Sequence, residues 1–165
     1  MNFELGPHDS LVEKSTPWDF SSDGDAKQLE KDMIDFMIAS NGIGLAANQI
    51  GLTKRVFVMG SNSIKDFPAP FAVFNPVIKE VSEEQVLDQE GCLSYPGLYL
   101  KVKRPAWIVA EYQDSEGNLK EIKVDGYLSK CFQHEYDHLE GICFVDKVSR
   151  MKLDLAMKKV RKIKK

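Results

Sequence analysis

CFQHEYDHLEG, Cys131 to Gly141, places two of the chain's three histidines four residues apart, with Glu135 directly after the first. Four residues is close to one helical turn, so on a helix His134 and His138 aim their imidazoles at one point. A divalent metal held by both would sit beside the Glu135 carboxylate, the arrangement that makes water a nucleophile at neutral pH. Successive residues lie about 100° apart on a helix, which gives this segment two faces. Leu128, Phe132, Tyr136 and Leu139 form one; Tyr127, Cys131, His134 and His138 form the other, with Glu135 between them. Both faces are expected to be buried, which makes this the central helix of the fold. Gly126 and Gly141 bracket it, as turns at its two ends require.

Outward from that helix the pattern is mixed. Leu29, Met33, Phe36 and Met37 recur at helical spacing, and Asn41-Gly42 supplies a stop, so a helix is expected from about Asp25 to Ser40. The segments KRVFVM, FAVFNPVI, YLKVKR, AWIVAEYQ and LKEIKV are short, rich in β-branched and aromatic residues, and separated by Gly, Pro, Asp and Ser. The last two are joined by DSEGN in the manner of a hairpin. The order predicts an α+β domain in which antiparallel or mixed sheets wrap around a central helix. No repeat or linker divides the 165 residues, so a single catalytic domain over 1–165 is expected.

A hydrophobic fraction of 43% beside 28% charged residues is ordinary for a globular chain, and no apolar run approaches the ~18 residues needed to cross a bilayer. No membrane partner is expected. MNFELGPHDS carries neither a basic-then-apolar leader nor an Arg-rich, acid-poor transit segment, so the cytoplasm is the expected compartment. Three cysteines argue for reduced thiols rather than a disulfide framework. The net charge of −3 gives no global attraction to nucleic acid, and no DNA partner is expected. The end is different: Lys147 to Lys165 holds nine Lys or Arg against one acid, Asp154. It reads as a basic helix from about 149 to 165 with Met151, Leu155 and Val160 as an apolar stripe, either a solvated helix or a contact to RNA or an acidic partner.

Two histidines leave the metal short of a ligand. Phe144 stands where the HExxHxxGxxH pattern would have its third histidine, and beyond His138 the acids are only Glu140, Asp146 and Asp154. Four candidates remain: His8, Cys92, Cys131 and Cys143. Cys92 is the best, because Gly91, Pro96 and Gly97 around it demand irregular backbone that can present a thiolate from a strand end. Cys131 shares the histidine face and is a weaker ligand candidate, while Cys143 reads as a small buried hydrophobe.

GIGLAANQIG, Gly42 to Gly51, has the spacing of a dinucleotide-binding loop, but a helix precedes it and a strand follows, the reverse of what that loop needs. Its glycines point instead to close backbone approach. Gln49 offers an amide donor for a tetrahedral oxyanion.

GIGLAANQ, EGCLS and QHEYDHLEG, in this order, resemble the three signature motifs of peptide deformylases, a likeness that spans Gly42 to Gly141. The resemblance implies one divalent metal ion held by Cys92, His134 and His138, natively Fe2+, with Zn2+, Ni2+ or Co2+ able to replace it. It implies Glu135 as general base, with the Gln49 amide and the Leu93 backbone N–H stabilising the oxyanion. The substrate implied is the N-formylmethionyl end of nascent chains, with formate released. A methionine pocket would be lined by Ile43, Tyr127, Cys131 and the flank of His134, and the backbone around Gly44 would hold the peptide. Glu90 and Arg104 match a salt bridge of that family, here expected to fix the loop of Cys92. Tyr99 and Lys130 depart from it: an arginine often stands at the first position and an apolar pocket residue at the second. Lys130 then has two expected fates, ammonium to solvent with its stem packed, or a preference for acidic groups at the entrance. In bacterial relatives a terminal helix docks on the ribosome, and the basic helix here can make the same contact. Two competing readings are a peptidase cleaving internal bonds, which Cys92 disfavours, and a non-catalytic metal- or RNA-binding module, supported only by the basic tail.

Overall fold

The computed structural model describes residues 1–164. After a single helical turn, α1 (Asp9–Val12), comes α2 (Ala26–Ala39), close to the expected limits. Asp25 caps it by accepting from the Gln28 N–H, and Met33 and Met37 bury its inner side. The strands follow: β1 (Gly44–Ala46), β2 (Val56–Met59), β3 (Phe71–Val81), β4 (Gln85–Cys92), β5 (Tyr95–Pro105), β6 (Trp107–Gln113) and β7 (Leu119–Asp125). They form a five-stranded sheet in the order β1-β2-β3-β6-β7 and a two-stranded ribbon β4-β5, with every strand pair antiparallel. The chain ends in α3 (Gly126–Leu139) and α4 (Arg150–Ile163). The architecture is α+β, with antiparallel sheets around a central helix.

Alternation explains why α3 lies where it does. β2 and the first four residues of β3, Phe71–Phe74, are apolar throughout, because α2 covers one side of the sheet and α3 the other. Phe132 and Leu139 of α3 are fully buried among Phe57, Met59, Val73 and Ile108, and the Phe57 and Phe132 rings meet edge-on at 5.0 Å. β3 tolerates Pro76 because the ladder to β6 is irregular there: the register shifts between Phe74 and Val77, and Asn75 takes φ of 50°. The Asn75 amide stabilises the bulge by accepting from Trp18 N–H and donating to Trp18 C=O.

Three expectations need correction. β4 lies outside the strand segments expected from sequence; six of its eight residues are exposed, so it shows no apolar alternation and is held by its ladder to β5. The histidine face of α3 is buried at Cys131, His134 and His138 as expected, but its first residue, Tyr127, is 48% exposed. The apolar side of α4 is Leu153, Ala156, Met157 and Val160, spaced i, i+3, i+4, i+7, and it packs on Leu98, Leu100, Val102 and Phe144. Met151 and Leu155 instead face outward, because the inward-facing residues of β5 set the rotation of the helix. Ser149 caps α4 and its last helical residue is Ile163, so the expected extension to Lys165 falls partly outside the described residues. Among the described residues no helix is long and apolar enough to cross a membrane.

Candidate active site

α3 stops in a glycine-dependent cap that fixes the height of its histidines. The Ile142 N–H donates to Asp137 C=O and the Gly141 N–H to His138 C=O, with Gly141 at φ of 73°. A β-carbon at Gly141 would lie 2.9 Å from the carbonyl carbon of Val12, so only glycine fits. The Asn48 amide also donates to His138 C=O, tying the helix end to the 3-10 turn Ala47–Ile50 that carries Gln49.

His134 and His138 then face each other, Nε2 to Nε2 at 3.2 Å, and Cys92 Sγ lies 3.4 Å from His138 Nε2. The three ligand atoms lie within 4.8 Å of one another. Cys92 reaches this point because the β4-β5 ladder breaks register between Gly91 and Cys92, at the end of the strand. Of the four candidates for a third ligand, Cys92 alone joins the histidines. Cys131 donates to Ile43 C=O at 3.6 Å, and burial pushes its thiol well above the usual range. Cys143 is buried and donates to Leu11 C=O; His8 pairs with Glu4 on the surface.

Around the cluster the orientation of each group is set by a partner. His134 Nδ1 meets Glu90 Oε1 at 2.9 Å, which directs Nε2 inward. Glu90 is in turn gripped by Arg104, Nε to Oε2 at 2.6 Å and Nη2 to Oε1 at 2.9 Å, and Arg104 Nη1 reaches Asp137 at 2.7 Å. The expected Glu90–Arg104 pair is therefore one part of a buried four-residue chain from Asp137 to His134. Asp137 was the part not seen in sequence, although it lies inside HEYDH. Burial alone would raise the Glu90 carboxyl, but hydrogen bonds from His134 and Arg104 outweigh it and hold it at about 2. Burial likewise opposes charge on His134, yet its contacts with Cys92 and Glu90 raise it to about 10. His138 is lowered well below its ordinary value by burial and by the neighbouring His134 and Arg104 charges.

Glu135 is 4% exposed, and burial raises its carboxyl to about 7. Its Oε2 has no protein partner, leaving an oxygen uncommitted beside a cavity of about 490 Å³. Gln49 is oriented by a donor: Ala46 N–H fixes its Oε1 at 2.9 Å, so the NH2 group faces Ser94 Oγ at 3.1 Å and Cys92 Sγ at 3.5 Å. Leu93 lies in the turn after Cys92. The cavity is lined by Ile43, Gly44, Gln49, Cys92, Leu93, Tyr127, Cys131, His134 and Glu135 among the residues expected from sequence, while the fully buried His138 does not line it. Tyr99 and Lys130 line it too. Phe3 and Leu5 were missed; they reach it because Glu4 N–H donates to Gln49 C=O and Gly6 N–H to Ser94 C=O, pairings that no local pattern announces.

One thiol and two imidazoles on a common point suit a tetrahedral first-row ion with one open position, and a buried carboxylate and an amide donor stand beside it. This is the constellation of a mononuclear metal-dependent hydrolase. Residues 2–154 match the family model of polypeptide deformylases. The peptide deformylase of Wolbachia pipientis wMel is 42% identical over 147 residues, covering 84% of this chain and 82% of that protein. That of Rhizobium meliloti is 40% identical over 156 residues, covering 94% and 89%. The crystal structure of peptide deformylase from Legionella pneumophila superposes with a TM-score of 0.87 at 34% identity, over 99% of this chain and 94% of that one. The chain belongs to the peptide deformylase family, hydrolases whose metal-dependent activity removes the N-formyl group from nascent formylated peptides.

Proposed function

We propose that Cys92, His134 and His138 hold a single divalent ion, natively ferrous iron and replaceable by zinc, nickel or cobalt, and that Glu135, Gln49 and Leu93 carry the chemistry. The observation that carries this reading is the convergence of the three ligand atoms within 4.8 Å beside the buried Glu135 carboxylate. When bound, the ion supplies Lewis acidity, which makes water nucleophilic near neutral pH. Glu135 takes a proton from the attacking water and returns it to the amine nitrogen as the C–N bond of the formamide breaks. The Gln49 NH2 group and the Leu93 N–H donate to the formyl oxygen as it gains charge. Formate and a free amino terminus result. Ile43, Tyr127 and Cys131 receive the methionine side chain, and the Gly44 backbone holds the peptide.

The same reading makes residues 1–165 one catalytic domain, acting in the cytoplasm on nascent chains, with no DNA partner. Exposed Lys152, Lys158, Lys159 and Lys162 on α4 support a contact between this helix and ribosomal RNA. The reading is tested by formate release from formyl-Met-Ala-Ser with anaerobically purified protein, alongside metal analysis of the same sample. Formate together with about one metal ion per chain, and loss of the metal in Cys92→Ala, supports it. Metal retained at the wild-type level in Cys92→Ala overturns the ligand assignment.

A further inference from the structure

Lys130 takes neither of the two courses open to it in the sequence. Its ammonium donates to Asp88 Oδ2 at 2.9 Å and to Gln89 C=O at 2.8 Å, and it lies 4.3 Å from the centre of the Tyr127 ring. These contacts commit its ammonium to groups of the protein itself. Lys130 thus lines the cavity with its ammonium already paired. Tyr127 is held from its other side by Phe67, ring centres 5.8 Å apart.

Lys130 and Tyr127 have a second role by position. Both line the active-site cavity, and both also line a separate groove of about 310 Å³ on the far side. β4 contributes to the same wall: Gln89 lines the cavity and its neighbour Asp88 lines the groove, as the alternation of a strand requires. Val86, Val102, Pro105 and Trp107 give the groove an apolar part, beside the charged Glu84, Arg104 and Asp125. The Lys130–Asp88 ion pair and Tyr127 thus lie between the cavity that holds the proposed methionine pocket and a groove with an apolar part at Trp107.

We propose that the Lys130–Asp88 pair, backed by Tyr127, is a partition that limits the size of the first side chain accepted, and that opening it lets bulky aromatic N-formyl residues extend into the groove over Trp107. The proposal rests on the deformylase reading of the same cavity. Specificity set by a steric wall differs from specificity set by charge: removing the wall changes the ranking of substrates by size.

The test compares kcat/KM for formyl-Met-Ala-Ser with that for the same peptide carrying formyl-2-naphthylalanine in place of formylmethionine, in wild type, Lys130→Ala and Asp88→Asn. Lys130→Ala is expected to raise the naphthylalanine-to-methionine ratio by roughly tenfold or more, the scale at which pocket size discriminates. Asp88→Asn, which loosens the pair from its exposed side, is expected to move the ratio in the same direction by less. It also serves as the readout if Lys130→Ala does not fold. A ratio unchanged within about twofold in every folded variant overturns the partition, since a merely structural lysine would lower both rates together. Failure of the underlying reading is distinct: wild-type protein would then release no formate from formyl-Met-Ala-Ser at all.

Discussion

Gly44 and Glu135 meet with no room for a methyl group between them: a β-carbon at Gly44 would press on Glu135 Oε1 and lie 2.9 Å from Cδ and 3.0 Å from Cγ. The carboxylate, being the end of a side chain, moves before the backbone does. Gly44→Ala is therefore expected to fold and to keep its metal, while displacing Glu135 by enough to lower kcat about 10²-fold. Steady-state formate release checks this, and a kcat near wild type would show that Glu135 need not sit where it does.

Arg104 holds Glu90 by two hydrogen bonds at 5% exposure, and Glu90 holds His134. Arg104→Met leaves a buried carboxylate without its countercharge, a change expected to cost about 3–5 kcal/mol of stability. Because the same carboxylate orients a proposed ligand, metal affinity should fall about 10–100-fold. Urea unfolding and competition with a chelator measure the two effects separately. A loss of stability with unchanged metal affinity would break the link from Arg104 to the metal site.

Gln49 can serve an oxyanion only through its NH2 group, which the Ala46 N–H turns toward Cys92. Gln49→Glu keeps the size and removes the donor. The expected loss is about 10²–10³ in kcat, the value of one donor to a developing oxyanion. A loss confined to KM would assign Gln49 to substrate binding instead.

The outward charges of α4 give a prediction about partners. Reversing Lys158, Lys159 and Lys162 to glutamate leaves the packed side, Leu153, Met157 and Val160, intact. Ribosome binding of wild type is expected to weaken as salt rises, and the triple variant should bind more weakly with a shallower salt slope. Equal binding of the two proteins across the salt series would remove α4 from the ribosome contact.

The features legible in the sequence are those that a single segment encodes by itself. The i, i+4 histidines, the glycine stop of α3 and the apolar face of Phe132 and Leu139 are local, and they define both the central helix and two of the proposed metal ligands. Cys92 was favoured over the other candidates by its glycine-rich surroundings, and the register break after Gly91 is the reason they matter. What stayed hidden depends on distant partners. β4 has no apolar face of its own and exists through its pairing with β5. The rotation of α4 is set by Leu98, Leu100 and Val102, some fifty residues earlier, so its own sequence offered Met151 and Leu155 equally well. The sequence leaves Lys130 two fates, and the countercharge that places it, Asp88, lies 42 residues away. Phe3 and Leu5 enter the cavity through backbone hydrogen bonds, which leave no mark on side-chain periodicity.

The central claim is that a buried Glu135 moves the proton in a site whose metal is held by Cys92, His134 and His138. Formate release by Glu135→Gln, measured on anaerobically prepared protein with its metal content determined in parallel, tests it most directly. The account predicts metal at the wild-type level and turnover lower by about 10²–10⁴-fold, the share of a general acid–base group. Turnover close to wild type in a variant that retains its metal would contradict it.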